Sequence, residues 1–373
     1  MKIAVNTRLL RKNQMDGLGW FAFSSLQHIV TRNPGVEFHF LFDTPPDPEF
    51  LFAPNIVPHV LFPPAKHAVL NIIWFEWSVK QTLQSIKPDL FFSPDGLLCL
   101  GWKGKQHGMI ADINFYHYPD DLKWTNQKYY NYFYPRYANA ATRLATISEY
   151  SKEDIVQTFN IAPQKIDIVY CGINSFFTPV AGEVQEAVRK EITGGTEYFL
   201  FIGTLHPRKN IVRLLQAFEL FKVQTGAPVK LVIAGRPSYR TEEMYRQHEQ
   251  MTSKNDVLFT GRIKDDQINR VLGSAQALVY VPHFEGFGLP IVEAMQCDVP
   301  VISSNTTSMP EVAGDAALLV DPFKVEEIKE AMVKMYSSPE LRAELIRRGR
   351  ERKQLFSWEK TADLLWASIQ KAF

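Results

Sequence analysis

The chain has 373 residues, enough for two or three domains at about 150 residues each. Its 41 Lys and Arg offset 40 Asp and Glu to a net charge of +1, which excludes a strongly basic nucleic-acid binder and an acidic solvating tail. With 46% apolar and 22% charged residues, the composition is that of a globular protein with a large core. Cys99, Cys171 and Cys297 lie far apart with no paired spacing, so they form neither a disulfide framework nor a zinc ribbon and fit a reducing compartment. The opening residues contain no apolar stretch of signal-peptide length, and no run approaches the ~18 apolar residues of a membrane span. The expectation is a cytoplasmic protein.

In chain order, residues 2–7 read as a buried opening strand. Gly17-Leu18-Gly19 then leads into a helical pattern with Phe21, Phe23, Leu26, Ile29 and Val30 apolar. Residues 36–42 read as a second strand, and the proline-rich 45–64 as a loop or lid without regular structure. A helix is expected over 70–86, short strands over 90–92 and 109–113, and a tyrosine-rich helix over 126–141. A strand at 144–147 precedes a helix that Ser148 or Ser151 can cap, and 166–170 reads as another strand. Strands alternating with helices argue for a parallel sheet. The alternation restarts after a linker at 172–195 that carries one short polar helix. Strands at 198–202, 230–234, 257–260, 277–281 and 299–303 alternate with helices at 208–222, 241–251, 265–273 and 289–296. Helices at 324–336, 339–354 and 358–372 close the chain; Trp358, Leu364, Leu365 and Ile369 give the last an apolar face for docking on another element. The fold class expected is α/β, with two doubly wound domains facing a cleft and ligands beyond the carboxyl ends of the strands.

Three constellations can carry chemistry. Gly17-Leu18-Gly19-Trp20-Phe21-Ala22 matches G-x-G-x-x-A, and Asp43 ends the next strand, as in a dinucleotide site. Yet Arg8 to Asp16 intervene between strand and glycine, and the same residues read equally as a loop that lets backbone approach a phosphate or sugar. In Gly203-Thr204-Leu205-His206-Pro207-Arg208-Lys209-Asn210, Arg208 and Lys209 are expected in the first turn of a helix, where the macrodipole disfavours each by ~0.3–1 kcal/mol. Two cations against that field point to an anion at the helix mouth, the alternative being two solvated side chains. In Glu285-Gly286-Phe287-Gly288-Leu289-Pro290-Ile291-Val292-Glu293, two glycines leave amides open at a helix start and two carboxylates can line one pocket. Glycoside hydrolysis needs acids flanking a sugar from opposite faces, which one loop and helix supply poorly, so carboxylates accepting bonds from sugar and ribose hydroxyls fit better. His107, His117, His206 and His283 have no metal-like spacing, and Asn305-Thr306-Thr307 spells a glycosylation sequon that a cytosolic chain never uses. Trp74, Phe75 and Trp77 lie in an apolar helix pattern, read as core or as a wedge for a peripheral membrane contact.

The stretch HFEGFGLPIVEAMQCDVPVISSNTTSMPEVAGDAALLVDP resembles the donor-site signature of the retaining glycosyltransferases of family 4, which have the GT-B fold. FIGTLHPRKNIVRLLQAF, VKLVIAG and LFTGRIKDDQINRVLGSAQALVYVP are similar to earlier stretches of the same domain, in the same order. ATISEYSKEDI and VYCGIN resemble the end of the acceptor domain and its hinge, and FSWEKTADLLWASI the final helix that crosses back to the first domain. The resemblance implies an acceptor-binding domain at 1–172, a donor-binding domain at 173–356 and a returning helix at 357–373. It also implies site roles. Glu285 would bind hydroxyls of the donor sugar and Glu293 the ribose. The amides of Gly286, Phe287, Gly288 and Leu289 would face sugar and diphosphate, and Lys209 with Arg208 would hold the diphosphate. Gly203, Thr204 and Gly235 would lie along the donor, Ile263 at the base, and Gly17 and Gly19 near the phosphate from the first domain.

The chain departs from the family at two places. Thr204 stands where many members have Arg, with Arg208 as the substitute found in a mannosyltransferase-like subgroup. Ala111-Asp112 stands where many have His-Asp, so either the pocket takes a different sugar, Asp112 or His117 covers the role, or activity is weakened. The function implied is a retaining, metal-independent glycosyltransferase without cofactor. It would move a sugar from a nucleotide sugar, GDP-mannose favoured over a UDP-sugar, to a glycan or lipid-linked acceptor of bacterial surface polysaccharide. Peripheral contact with the inner membrane is compatible with it, and a nucleic-acid partner is not expected. A transferase-like scaffold that has lost catalysis is the alternative, with an NAD-binding oxidoreductase behind it.

Overall fold

The computed structural model describes residues 1–65 and 67–373. The chain divides into two compact units: Met1–Gly172 with Phe356–Phe373, and Ile173–Leu355.

The first unit is built on a seven-stranded parallel sheet ordered β3-β2-β1-β4-β5-β6-β7. Its strands are β1 (Lys2–Asn6), β2 (Glu37–Phe42), β3 (Ile56–Val60), β4 (Leu90–Ser93), β5 (Gln106–Met109), β6 (Arg143–Thr146) and β7 (Ile166–Ile168). Its helices are α1 (Gly17–Arg32), α2 (Ala68–Ile73) running through a π-turn at Trp74–Val79 into α3 (Lys80–Ile86), α4 (Asn114–His117), α5 (Trp124–Ala140) and α6 (Glu149–Phe159), which Ser148 caps. Two strands differ from the sequence reading. The proline-rich 45–64 contains β3, whose Pro58 pairs with Phe40 at the sheet edge, where a missing N–H costs no second ladder bond. The strand expected at 109–113 lies earlier, because β5 is buried yet polar: Gln106 takes the Cys99 amide at 3.0 Å, and His107 meets Ser368 at 2.8 Å. A polar pair inside a strand paired on both sides is thus kept in the core by hydrogen bonds to its own partners.

The second unit carries a six-stranded parallel sheet ordered β10-β9-β8-β11-β12-β13. After α7 (Gly182–Thr193) come β8 (Tyr198–Ile202), α8 (Ile211–Thr225), β9 (Lys230–Ala234), α9 (Glu242–Gln250), β10 (Val257–Gly261) and α10 (Asp265–Gly273). Then follow β11 (Ala277–Tyr280), α11 (Leu289–Gln296), β12 (Val301–Ser304), α12 (Met309–Ala313), β13 (Ala317–Val320), α13 (Val325–Ser337) and α14 (Pro339–Arg352). Here α12 and β13 were not foreseen: each is a run of only four or five residues, too short to show a helix or strand period. The central strands are continuous apolar runs buried on both faces: all five residues of β8 are buried.

The last helix, α15 (Trp358–Gln370), belongs to the first unit and lies along α1. Its buried face is Ala362, Leu365 and Ile369, while Leu364, expected on that face, is 43% exposed. Trp358 meets Phe21 edge-on at 6.4 Å and Trp366 meets Phe38 at 6.5 Å. A polar clasp closes the contact: Ser368 donates to Asp167 at 2.8 Å, and Lys371 and Arg143 pair with the same carboxylate.

Candidate functional site

In the second unit the loops after β8, β9 and β11 converge at the carboxyl end of the sheet. Gly203 and Gly235 allow the closest approach: a Cβ on Gly235 would sit 1.8 Å from the Gly203 carbonyl oxygen. Gly203 donates to Ala234 O and Leu205 to Arg236 O, so Thr204 is held between paired loops. Arg208 and Lys209 are not in the first turn of α8, as the sequence suggested. They occupy a separate 3-10 turn, Pro207–Lys209, and Asn210 with φ 63° breaks the chain before α8 begins at Ile211. The cations are aimed by this turn rather than set against a helix dipole. Asn210 locks the turn, donating to Val281 O at 3.0 Å and Pro322 O at 2.7 Å, and the His283 amide donates to Arg208 O at 2.8 Å.

Lys209 is only 8% exposed; its Nζ donates to the Tyr280 hydroxyl at 2.6 Å and to Glu285 Oε1. Arg208 Nη1 donates to the same carboxylate oxygen. Burial pushes the Glu285 carboxyl up, but Arg208 and Lys209 outweigh it and hold the group below its ordinary range. The Glu285 loop is itself braced. Ser308 Oγ donates to Glu285 O at 2.9 Å and contacts Phe287 O at 3.1 Å, and Thr307 Oγ1 accepts the Glu285 amide at 3.4 Å. Gly288 then enters α11 with φ 101°, and Pro290 sits in the first turn. Sequence reasoning missed Tyr280, Thr307 and Ser308; a run of hydroxyls directly after a strand end was the available signal, and it was read only as a sequon. Glu293, one turn into α11, is half-buried, and burial pushes its carboxyl up to about 7. The two glutamates are thus a held anion and a group poised to change charge near neutrality. Ile263 lines a recess of about 200 Å³ with Thr260, Gln267 and Val271, and that lining includes none of Arg208, Lys209 and Glu285.

In the first unit Gly17 and Gly19 lie inside α1 rather than in a flexible loop, and Asp16 caps the helix by accepting the Gly19 amide at 3.0 Å. Asp43 is buried and committed to Arg11 at 2.7 Å and the Ala65 amide at 3.0 Å, which removes the ribose acid that the dinucleotide reading required. Asp112 accepts the Asn114 amide at 3.0 Å at the start of α4, and His117 Nε2 pairs with Asp154 at 2.7 Å. Trp74 and Phe75 are core, but Trp77 is 57% exposed, with Ile73 and Val69 at successive turns before it. All three cysteines are buried thiols; burial pushes Cys99 and Cys297 up to about 12, so neither is a nucleophile at neutral pH. Among the described residues, no helix is long and apolar enough to cross a membrane, and no group of His, Cys, Asp and Glu is arranged to hold a metal ion.

Comparison with known proteins assigns both units. The family model Glycosyltransferase Family 4 matches residues 17–175, and Glycosyl transferases group 1 matches 184–352. The chain is 33% identical over 222 residues, 59% of its length, to O-antigen chain mannosyltransferase B of Escherichia coli, and spans 58% of that protein, less than two thirds. It is 24% identical over 295 residues to O-antigen chain mannosyltransferase RfbU of Salmonella typhimurium, 78% of each chain. The structure of HepE from Anabaena in complex with UDP and glucose superimposes over the whole of both chains with TM-score 0.76 at 15% identity, a likeness of fold. The chain therefore joins a family 4 domain to a group 1 domain and belongs to the glycosyltransferases of the GT-B fold.

Proposed function

We propose that the protein is a retaining, metal-independent glycosyltransferase that moves mannose from GDP-mannose, in preference to a UDP-sugar, to a glycan or lipid-linked acceptor of surface polysaccharide. The observation that carries this reading is the cluster of Arg208, Lys209 and Glu285, two cations and one carboxylate gathered in a nearly buried turn at the strand ends. Its net positive charge suits a departing diphosphate, and preorganised cations stabilise charge as it develops there. The glycosidic bond from the anomeric carbon to phosphate oxygen breaks, the acceptor oxygen bonds to the same face of that carbon, and its proton passes to the departing phosphate. No protein base is required. The printed names of the relatives, O-antigen mannosyltransferases, support the sugar and the acceptor class. Glu285 is assigned to the sugar, Glu293 to the ribose, the Gly286–Leu289 amides to the diphosphate, Gly203, Thr204, Gly235 and Ile263 to the remaining donor surface, and Gly17, Gly19 and Asp112 to the first unit's share. Action at the cytoplasmic face of the membrane fits the exposed Trp77, Ile73 and Val69.

A thermal-shift series with GDP, UDP and their sugars tests the donor. A ligand at ~100 times its dissociation constant adds ~2.7 kcal/mol, so GDP and GDP-mannose should raise the melting temperature while NAD leaves it unchanged. Product NMR should then show an α-linked mannoside formed equally with and without EDTA. A β-anomer, or activity that needs added manganese, would refute the mechanism; tight donor binding without any turnover would favour a scaffold.

A further inference from the structure

The turn that carries Arg208 and Lys209 ends on Asn210, which is 2% exposed and left-handed at φ 63°. Asn210 spends its amide N–H groups on Val281 O, just past β11, at 3.0 Å and Pro322 O, just past β13, at 2.7 Å. Those carbonyls fix which way the carboxamide faces and leave Oδ1 as an acceptor. His283 Nε2 lies 2.6 Å from that oxygen and Arg213 Nη1 lies 3.3 Å from it. Opposed lone pairs at 2.6 Å would repel, so Nε2 carries the imidazole proton and gives it to Asn210. Arg213 Nη1 also lies 3.1 Å from Nε2, and with Nε2 already a donor its N–H is left to Oδ1 as well. Phe323 stacks on the His283 ring at 4.8 Å and 17°, and the Arg213 guanidinium lies 5.5 Å from the Phe323 ring centre. The backbone of the same histidine makes a further tie, donating to Arg208 O at 2.8 Å.

We infer that His283, as its Nε2–H tautomer, is a positioning residue that aims Arg208 and Lys209 by holding the Asn210 carboxamide at the end of their turn. The inference rests on the donor site proposed above. The turn has little of its own to hold it: Lys209 N donates to His206 O and Asn210 N to Pro207 O, the strained bonds of a short 3-10 turn. Without the imidazole N–H, Oδ1 keeps only the longer Arg213 contact, and the carboxamide can rotate off its carbonyls. A turn correctly aimed for only part of the time lowers apparent affinity by that fraction. Once bound, a diphosphate holds the cations itself, so the chemical step is spared. Burial first, and then Arg213 of α8, hold the imidazole down to about 4, so the ring stays neutral at neutral pH.

The test compares His283→Phe, which keeps a ring against Phe323 but loses the donor, with His283→Gln, whose side-chain amide can replace Nε2–H. In the full-length chain, His283→Phe should raise KM for GDP-mannose and the Kd for GDP about tenfold, with kcat within about twofold of wild type. His283→Gln should bring GDP affinity back to within about threefold. Without any ligand, hydrogen exchange across residues 207–211 should quicken at least about threefold in His283→Phe and not in His283→Gln. Nitrogen NMR of histidine-labelled wild type should show His283 as the Nε2–H tautomer. The inference is overturned by an Nδ1–H tautomer, by unchanged exchange in His283→Phe, or by a loss of kcat at unchanged KM. If wild type binds neither GDP nor UDP while exchange and tautomer come out as expected, the proposed function fails and the His283–Asn210 tie stands.

Discussion

At the scale of single residues, the site is a set of charges whose environments differ by design of the backbone around them. Lys209 is fixed by a locked 3-10 turn, so its ammonium loses little entropy on meeting a phosphate. Charge-assisted bonds in such a site are worth ~1.5–3 kcal/mol. Lys209→Ala should therefore weaken nucleoside-diphosphate binding by about ten- to a hundredfold in isothermal titration, with Arg208→Ala equal or smaller. Glu293 supplies a second prediction with a definite sign. Its folded carboxyl, near 7, lies above the unfolded value, so the unfolded chain releases its proton first as pH rises. Stability is lost between about pH 4.5 and 7, by up to ~3 kcal/mol at ~1.4 kcal/mol per pH unit. Glu293→Gln should thus be more stable than wild type above pH 7 in urea unfolding, with the gap closing toward pH 4.5. The same substitution should raise KM for the donor, whereas Glu285→Gln should chiefly lower kcat, since sugar charge changes in the reaction and ribose does not. Equal loss of GDP affinity in both variants would undo that division.

At the scale of elements, β5 shows how a polar strand can be core. His107 is wholly buried, neutral, and joined through Ser368 to Asp167. Burial lowers its folded value to about 3, below the unfolded 6.5, so the unfolded chain takes up a proton first as pH falls. Stability should decline below pH 6.5 by ~1.4 kcal/mol per pH unit from this residue alone. His107→Gln should flatten that slope in unfolding curves at pH 5 and 7; an unchanged slope would show that His107 is not the group responsible. The elements around the Glu285 loop follow a similar rule: Ser308, before α12, braces Glu285 by donating to its carbonyl, and Met309 fills the space a Gly288 side chain would need, 2.6 Å from its Cβ position.

At the scale of the molecule, the first unit is completed by residues at the far end of the chain. Truncation after Leu355 would strip the partners of Phe21 and Phe38 and break the Asp167 clasp. Hydrogen exchange should then show loss of protection in β1, β5 and β7 but not in the sheet of β8 to β13; equal loss in both would mean that α15 supports more than its own unit. The amino-acid sequence by itself determined the restart of the strand–helix alternation, the runs of β8 and β9 to the residue, and the residue types at Arg208, Lys209, Glu285 and Glu293. These are periodic or local features, carried by a few consecutive residues. The tertiary structure alone decided the rest: that Pro58 sits on an edge strand, that Asp43 is spent on Arg11, that Ala362 rather than Leu364 faces the core, and that Tyr280 and Ser308 hold the catalytic candidates in place. Lys209 and Tyr280 are 71 residues apart in the chain and His107 and Ser368 are 261 apart, so no local pattern in the sequence encodes which buried polar group satisfies which.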